Sequence, residues 1–406
     1  MSPRVRDSLP MKRLVICCDG TWNRADTKTV TNIEKIARTV QLEPARALGV
    51  QQMVLYLPGV GTAGYRTDKI LGGAFGLGLF HHVVNAYRFL SINYQPGDEI
   101  YVFGFSRGAY TARSLAGMIG KVGLLTREAM IAGQLHEAGQ RYRHPADEPW
   151  PQDWLPAEEF RARHCHPDVP IRFLGVFDTV GALGVPGALS RRHQFHDVRF
   201  GAGVQVARQA LAIDEPRMKF EPCLWEAVDT PGPPDRIKQV WFEGCHSDVG
   251  GGYAEEGLAN TALLWMVTEA QARGLVFDCD LFRTQLGAGS PYQRHDPSKL
   301  AFRLLDTAIR FRIGIGRASG AAFSGARRRL HRTDSEGVRL ATTTAERYRA
   351  PEENYRPANL VEYAEATGEF ADVLEDTIVH PGDAYDTLLA RFEAECAAPS
   401  ETAQPA

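Results

Sequence analysis

The sequence predicts an α/β protein with a mostly parallel central sheet, helices on both faces and helical cap insertions over the strand ends. Three observations predict it. Short apolar runs alternate with helix-compatible stretches through the first half of the chain, in an order that implies parallel strands joined by right-handed crossovers. One of these runs leads directly into Gly104-Phe105-Ser106-Arg107-Gly108, a sharp turn between a strand and a helix. The composition, 406 residues with 44% hydrophobic and 23% charged, is that of an ordinary globular chain with enough apolar material for a large core.

Leu14–Cys18 reads as a buried strand, an apolar run without polar alternation. Thr31–Gln41 reads as a helix capped by Thr31 or Asn32. Gln52–Leu57 is the second strand, ended by Pro58-Gly59. Leu79–Tyr94 is helical, with Val83, Val84, Tyr87, Phe89 and Leu90 as its apolar positions. Pro96-Gly97-Asp98 turns the chain into a third strand, Glu99–Phe103, and Thr111–Ile119 follows the glycine turn as a helix. Ile171–Phe177 and Ile237–Phe242 are two later strands. Val204–Ile213 reads as a helix, and further helices are expected near Asn260–Arg273, Lys299–Phe311 and Asp383–Ala394. The chain has no internal repeats, and no linker is clear enough to divide it. One domain is therefore expected over 11–395, with a core of about 11–125, 168–182 and 235–275. Cap insertions are expected at about 126–167, 183–234 and 280–350, and disordered tails at 1–10 and 397–406.

A net charge of −3 provides no global basic field for nucleic acid, and no zinc finger or other nucleic-acid-reading module is present. Seven cysteines at irregular spacing read as reduced thiols rather than a disulfide framework. Cys17 and Cys18 fall in an apolar strand and are expected in the core. His164-Cys165-His166 lacks a complementary ligand pair and is expected at the surface, without metal. Leu14–Cys18 is too short for a signal peptide, and Ile70–Phe80 is far short of a membrane span. The expected location as synthesised is therefore the cytoplasm.

A serine hydroxyl is a weak nucleophile at neutral pH and needs a base, which in turn needs an orienting acid. Gly104 and Gly108 keep side chains out of the turn, which leaves Ser106 as the candidate nucleophile. Asp178 follows the strand Ile171–Phe177, and His246 follows Ile237–Phe242. Strand carboxyl ends are where catalytic groups of a parallel sheet gather. The order Ser, Asp, His along the chain is that of α/β-hydrolases. Asp248, two residues beyond His246, is the alternative acid. The Arg107 N–H, just after the nucleophile, is one expected oxyanion donor. The second comes from the loop after Leu14–Cys18, from Gly20 or Thr21, with Asp19 and Asn23 bracing that loop. This constellation requires no cofactor and no metal.

Two other chemistries have partial signatures. Cys18-Asp19-Gly20-Thr21 approaches the Asp-x-Asp-Gly-Thr signature of haloacid-dehalogenase-like phosphatases, but Cys17 stands where the nucleophilic aspartate belongs. Gly59-Val60-Gly61-Thr62-Ala63-Gly64 matches a dinucleotide fingerprint, but no acid follows at the ribose spacing and Gly72-Gly73 interrupts the expected helix. The alternative to esterase chemistry is a non-catalytic hydrolase-fold binding protein or a metal-dependent phosphate-handling enzyme.

Four blocks occur in order: Val15-Ile16-Cys17-Cys18-Asp19-Gly20-Thr21-Trp22-Asn23, Tyr101–Arg113 around Ser106, Gly175–Gly181 around Asp178, and His246-Ser247-Asp248-Val249-Gly250-Gly251. Together they resemble a widespread microbial family of α/β-hydrolase-domain proteins that includes type VI secretion phospholipase effectors. The resemblance covers roughly residues 11 to 270, and extends more loosely to Tyr355-Arg356-Pro357. It also includes Ala210-Leu211-Ala212-Ile213-Asp214-Glu215, preceded by Gln209 where the family pattern leads one to expect histidine. The resemblance implies a Ser106–Asp178–His246 triad, glycerophospholipid substrates and delivery out of the cell by a secretion machine. Protein partners are not indicated by the sequence. Arg310, Arg312, Arg317, Arg327, Arg328, Arg329 and Arg332 fall in a stretch without acidic residues, read as an exposed loop able to touch an anionic membrane surface.

Overall fold

The computed structural model describes residues 11–20, 29–42, 50–59, 72–145, 148–180, 203–217, 220–226, 233, 235–286, 292–297, 323–324, 327–330, 335–368, 389–390, 392–394 and 396. Strand β1 (Lys12–Cys18), helix α1 (Asn32–Thr39), β2 (Gln51–Leu57), α2 (Gly72–Asn93), β3 (Glu99–Phe105) and α3 (Arg107–Val122) form the first half. Three short helices follow: α4 (Arg127–Ile131), α5 (Leu135–Arg143) and α6 (Ala157–His164). The sheet resumes with β4 (Ile171–Phe177), β5 (Ala207–Ala212) and β6 (Ile237–Phe242). Beyond these lie α7 (His246–Gly250), α8 (Gly257–Gln271) and α9 (Cys279–Gln285). A small antiparallel pair, β7 (Phe323–Ser324) and β8 (Arg327–Arg328), precedes β9 (Val338–Leu340), α10 (Thr342–Arg349) and α11 (Ala358–Thr367).

The central sheet is seven-stranded and parallel throughout, in the order β2-β1-β3-β4-β5-β6-β9. Both of its faces are covered, as an all-parallel sheet requires. Side chains alternate between the two. Leu14, Ile16 and Cys18 of β1 join Tyr87 and Leu90 of α2 and Leu115 and Ile119 of α3 on one face. Val15 and Cys17 join Ile33 and Ile36 of α1 and Leu263 and Met266 of α8 on the other. Thr31 caps α1 by accepting from the Glu34 N–H at 3.2 Å.

Four expectations need correction. Val204–Ile213 is not a helix: Ala207–Ala212 is a sheet strand whose six residues are all buried. A strand buried on both faces carries no clean two-residue period, so its pattern is ambiguous with a helix. The expected cap insertions 183–234 and 280–350 are not purely cap, because they supply β5 and the three-residue β9 to the sheet. Helix α2 begins at Gly72, so Gly72-Gly73 opens the helix rather than interrupting it. Finally, Cys279 and Cys396 form a disulfide, although the remaining five cysteines are free. The pairing is set by packing that juxtaposes distant segments, with Phe282 stacked on Phe392 at 4.3 Å, and no local motif announces it. Lys299–Phe311 and both expected tails lie outside the described residues, as does much of Asp383–Ala394. No described helix is long and apolar enough to cross a membrane.

Candidate active site

The turn from β3 into α3 is built by close approach. A Cβ on Gly104 would lie 2.5 Å from the Gly108 carbonyl oxygen, and one on Gly108 would lie 2.1 Å from the Cys18 carbonyl oxygen. Both positions therefore exclude side chains, and the residue between is forced into an unusual conformation. Ser106 has φ 57° and ψ −121°, a strained region for any residue but glycine. Its N–H donates to the Phe177 carbonyl at 3.0 Å, which pins the turn to the end of β4. The serine thus stands at the N-terminus of a helix of 16 residues.

The next residue after that Phe177 carbonyl is Asp178, also at positive φ, 40°. Its N–H donates to the Ala210 carbonyl at 2.7 Å, so β5 holds it. The carboxylate is completely buried and each oxygen accepts twice. Oδ1 accepts from the Ala212 N–H (3.0 Å) and from Arg328 Nη1 (2.6 Å). Oδ2 accepts from Arg328 Nη2 (2.9 Å) and pairs with His246 Nδ1 (2.6 Å). Burial alone would raise the Asp178 carboxyl pKa, but Arg328 and His246 outweigh it and hold it well below the usual carboxylate range. An ionised carboxylate has no proton to give, so Nδ1 carries the proton of the His246–Asp178 hydrogen bond.

His246 opens the short helix α7. Its ring is held between Phe105, the residue before the serine, at 4.6 Å, and Phe220, edge-on at 4.8 Å. Gly250 lets α7 close on Phe105, because a Cβ there would lie 2.0 Å from the ring. The backbone N–H of His246 donates to Glu215 Oε2 (3.2 Å), and Glu215 is in turn paired with Arg217.

The alternative acid does other work. Asp248 accepts from the Cys245 N–H at 2.9 Å, closing the start of α7, and pairs with His295 Nδ1 at 2.6 Å. Its bonds go to those groups, while His246 bonds Asp178. Of the expected oxyanion donors, Arg107 begins α3, and burial pulls its guanidinium down to about 10. The Gly20 N–H donates to Asp19 Oδ1 at 2.6 Å in this structure. Thr21 and Asn23 lie outside the described residues. Asp19 also accepts from Thr31 Oγ1 and from the Tyr56 hydroxyl, both at 2.7 Å, in keeping with a bracing role. Gln209, where histidine was expected, is fully buried and bonds the Cys223 carbonyl and Gln239. No group of residues suited to a metal occurs among the described residues, and Cys165 of the His-Cys-His run is buried.

Arg328 is the residue that sequence reasoning misplaced. It was expected on an exposed membrane-facing loop, yet it is fully buried on Asp178. Arg327 and Arg329 are exposed, and Arg310, Arg312, Arg317 and Arg332 lie outside the described residues. A run of arginines reads as solvated because each cation costs free energy to bury. The exception is a cation facing a buried carboxylate, and that partner is 150 residues away in sequence.

Residues 12–269 match the catalytic-domain model of the Tle1-like phospholipase effectors of type VI secretion. An uncharacterized protein of Saccharomyces cerevisiae is 32% identical over 228 residues, which cover 52% of this chain and 32% of that protein. The chain thus spans about a third of the length of that curated relative. Two solved structures are more distant. A Tle1 effector bound to the VgrG spike of the type 6 secretion system is 19% identical, with TM-score 0.35, over 61% of this chain and 52% of its own. An uncharacterized protein from Pseudomonas aeruginosa is 16% identical, with TM-score 0.38, over 95% and 66%.

Proposed function

Because this chain belongs to the Tle1-like phospholipase effector family of type VI secretion, through its catalytic domain, we propose that it is a serine hydrolase cleaving carboxylic esters of phospholipids. The observation that carries this reading is the buried 2.6 Å pair of His246 Nδ1 and Asp178 Oδ2, with the imidazole lying 4.6 Å from the ring of Phe105, the residue before the strained Ser106. In the proposed reaction His246 Nε2 takes the Ser106 proton as Oγ attacks the acyl carbonyl. The tetrahedral intermediate collapses when His246 returns that proton to the leaving alcohol. Water then attacks the acyl-enzyme, giving up a proton to Nε2, and His246 passes that proton to Ser106 Oγ as the acyl–oxygen bond breaks, releasing the fatty acid and the free serine. Asp178 holds the ring and stabilises the imidazolium. The Arg107 N–H and a donor from the loop after β1 stabilise the oxyanion. If that donor is Gly20, its bond to Asp19 must open in the reacting complex; Thr21 is the other donor proposed. No cofactor enters these steps. The domain limits proposed are 11–395, with the cap drawn from 126–167 and from parts of 183–234 and 280–350. Delivery by a secretion machine is proposed on the family relationship.

The test is labelling by a fluorophosphonate, followed by phospholipid hydrolysis. Modification of Ser106, with both labelling and turnover lost in Ser106→Ala by about a thousandfold or more, is the expected result. Labelling at another serine, or an active alanine variant, would remove the assignment.

A further inference from the structure

We propose that Arg328 is a positioning residue of the active site: it keeps Asp178 ionised and fixed so that His246 presents Nε2 as the proton acceptor. The proposal rests on the triad reading above and adds a fourth member to it.

Three observations carry it. The contact is bidentate and wholly buried, Nη1 to Oδ1 at 2.6 Å and Nη2 to Oδ2 at 2.9 Å, with both side chains fully shielded from solvent. Planar guanidinium on planar carboxylate fixes orientation as well as charge. The same guanidinium donates to the Ala212 carbonyl (2.8 Å), at the end of β5, and to the Phe220 carbonyl. Phe220 is the edge-on wall of the His246 ring. One side chain therefore ties together the acid, the strand beside it and the aromatic wall of the base. Finally, the backbone of Arg328 is itself fastened. Asn359 of α11 donates its Nδ2 to the Arg328 carbonyl (3.2 Å) and to the Ile213 carbonyl (3.1 Å). The residue is aimed inward by the fold around it, and Leu330 two positions on is buried in the same way.

The chemistry explains why the site needs it. A carboxylate buried this completely, facing only a neutral imidazole, would take up a proton. A protonated Asp178 could no longer accept from Nδ1–H, and the ring would be free to turn or to change tautomer. Around Asp178 stand Arg328 from β8, His246 from α7 and the Cys223 thiol. Glu215, paired with Arg217, is the next carboxylate beyond the imidazole. Among the described residues, Arg328 is thus the permanent cation in direct contact with the carboxylate, and its loss is a loss of charge that its other described neighbours do not replace.

The experiment compares the wild type with Arg328→Gln, Arg328→Lys, Asp178→Asn and the Arg328→Gln/Asp178→Asn double variant. The readouts are Ser106 labelling rate and kcat/KM across pH, with folding checked by circular dichroism. In Arg328→Gln the acidic limb should move to higher pH by about one to three units, with activity partly regained at alkaline pH. The loss at neutral pH should fall in kcat, with KM little changed, since Arg328 touches no substrate. Arg328→Lys should keep the wild-type limb. In the Asp178→Asn background, Arg328→Gln should cost almost nothing further, because the charge it serves is gone. If Arg328→Gln fails to fold, the double variant should fold, its buried carboxylate having been removed. An unshifted limb in a folded Arg328→Gln, or losses that simply multiply in the double variant, would overturn the proposal. A double variant as unfolded as the single would overturn it too. Absence of labelling at Ser106 in the wild type would instead overturn the triad reading, so the two failures are distinct.

Discussion

Asp178 shows how much a single side chain is asked to satisfy. Its two oxygens take four donors from three elements, and every lone-pair direction is used. Replacing it by asparagine substitutes two N–H donors for an acceptor facing Arg328 and His246, so the wrong tautomer is favoured and a donor meets a donor. Asp178→Asn is therefore expected to lower kcat by on the order of a thousandfold or more, by analogy with the serine-protease acid. Asp248→Asn, which disturbs the start of α7 and the His295 contact, is expected to cost far less. Turnover of the two folded variants on one phospholipid substrate checks the ranking, and the reverse order would move the acid to Asp248. Cys245 lies beside this site but is inert as a nucleophile, because burial pushes its thiol well above the ordinary range and the neighbouring Asp248 and Glu215 carboxylates add to the rise.

Elements succeed or fail as predictions according to how local their causes are. The β1–α1–β2–α2–β3–α3 order is legible because each element carries its own signal, a cap, a breaker or an apolar run. The elbow is legible because two glycines are needed within five residues. That requirement can be measured: Gly108→Ala would put a methyl 2.1 Å from the Cys18 carbonyl oxygen and push α3 away from β1. Loss of at least about 3 kcal/mol of stability, or failure to accumulate as soluble protein, is expected. A denaturant midpoint equal to that of the wild type would show that the two elements can separate cheaply. Strand β5 was not legible, because Val204–Ile213 is as apolar as a helix core and its buried polar residues find partners only in tertiary structure. Arg208 pairs with Glu269 of α8 at 2.6 Å, and Gln209 pairs with Gln239 of β6 at 3.0 Å. Ser106, Asp178 and His246, the proposed triad, stand out in the sequence for a shared reason: each lies at the carboxyl end of a strand, Ser106 and Asp178 directly after it and His246 three residues further on. Arg328 has no such place in the central sheet, and its partner cannot be inferred from neighbours in sequence.

At the scale of the molecule, buried charges make stability depend on pH in opposite senses. Burial pushes the Glu243 carboxyl up to about 7, although Arg347 at 2.7 Å draws it back. The folded state then binds more protons than the unfolded chain between the ordinary carboxylate range and about 7. This contribution is present at low pH and is lost as pH rises through about 7. Asp178 acts oppositely, since its lowered value stabilises the fold above the ordinary carboxylate range and is lost on acidification. Glu243→Gln is expected to flatten the decline in stability between pH 5 and 8, by at most about 3 kcal/mol at the upper end. Denaturant melts at both pH values measure it, and an unchanged slope would assign the decline elsewhere. The strand order has a further consequence, one of timing. Asp178 and Arg328 are 150 residues apart, and β9 adds the last edge of the sheet only at Val338–Leu340. A chain emerging from the ribosome therefore exposes its serine and histidine long before the cation that holds their acid. The nascent polypeptide is disarmed by its own length, and a ribosome-bound chain stalled before residue 327 should resist fluorophosphonate labelling while the released protein does not.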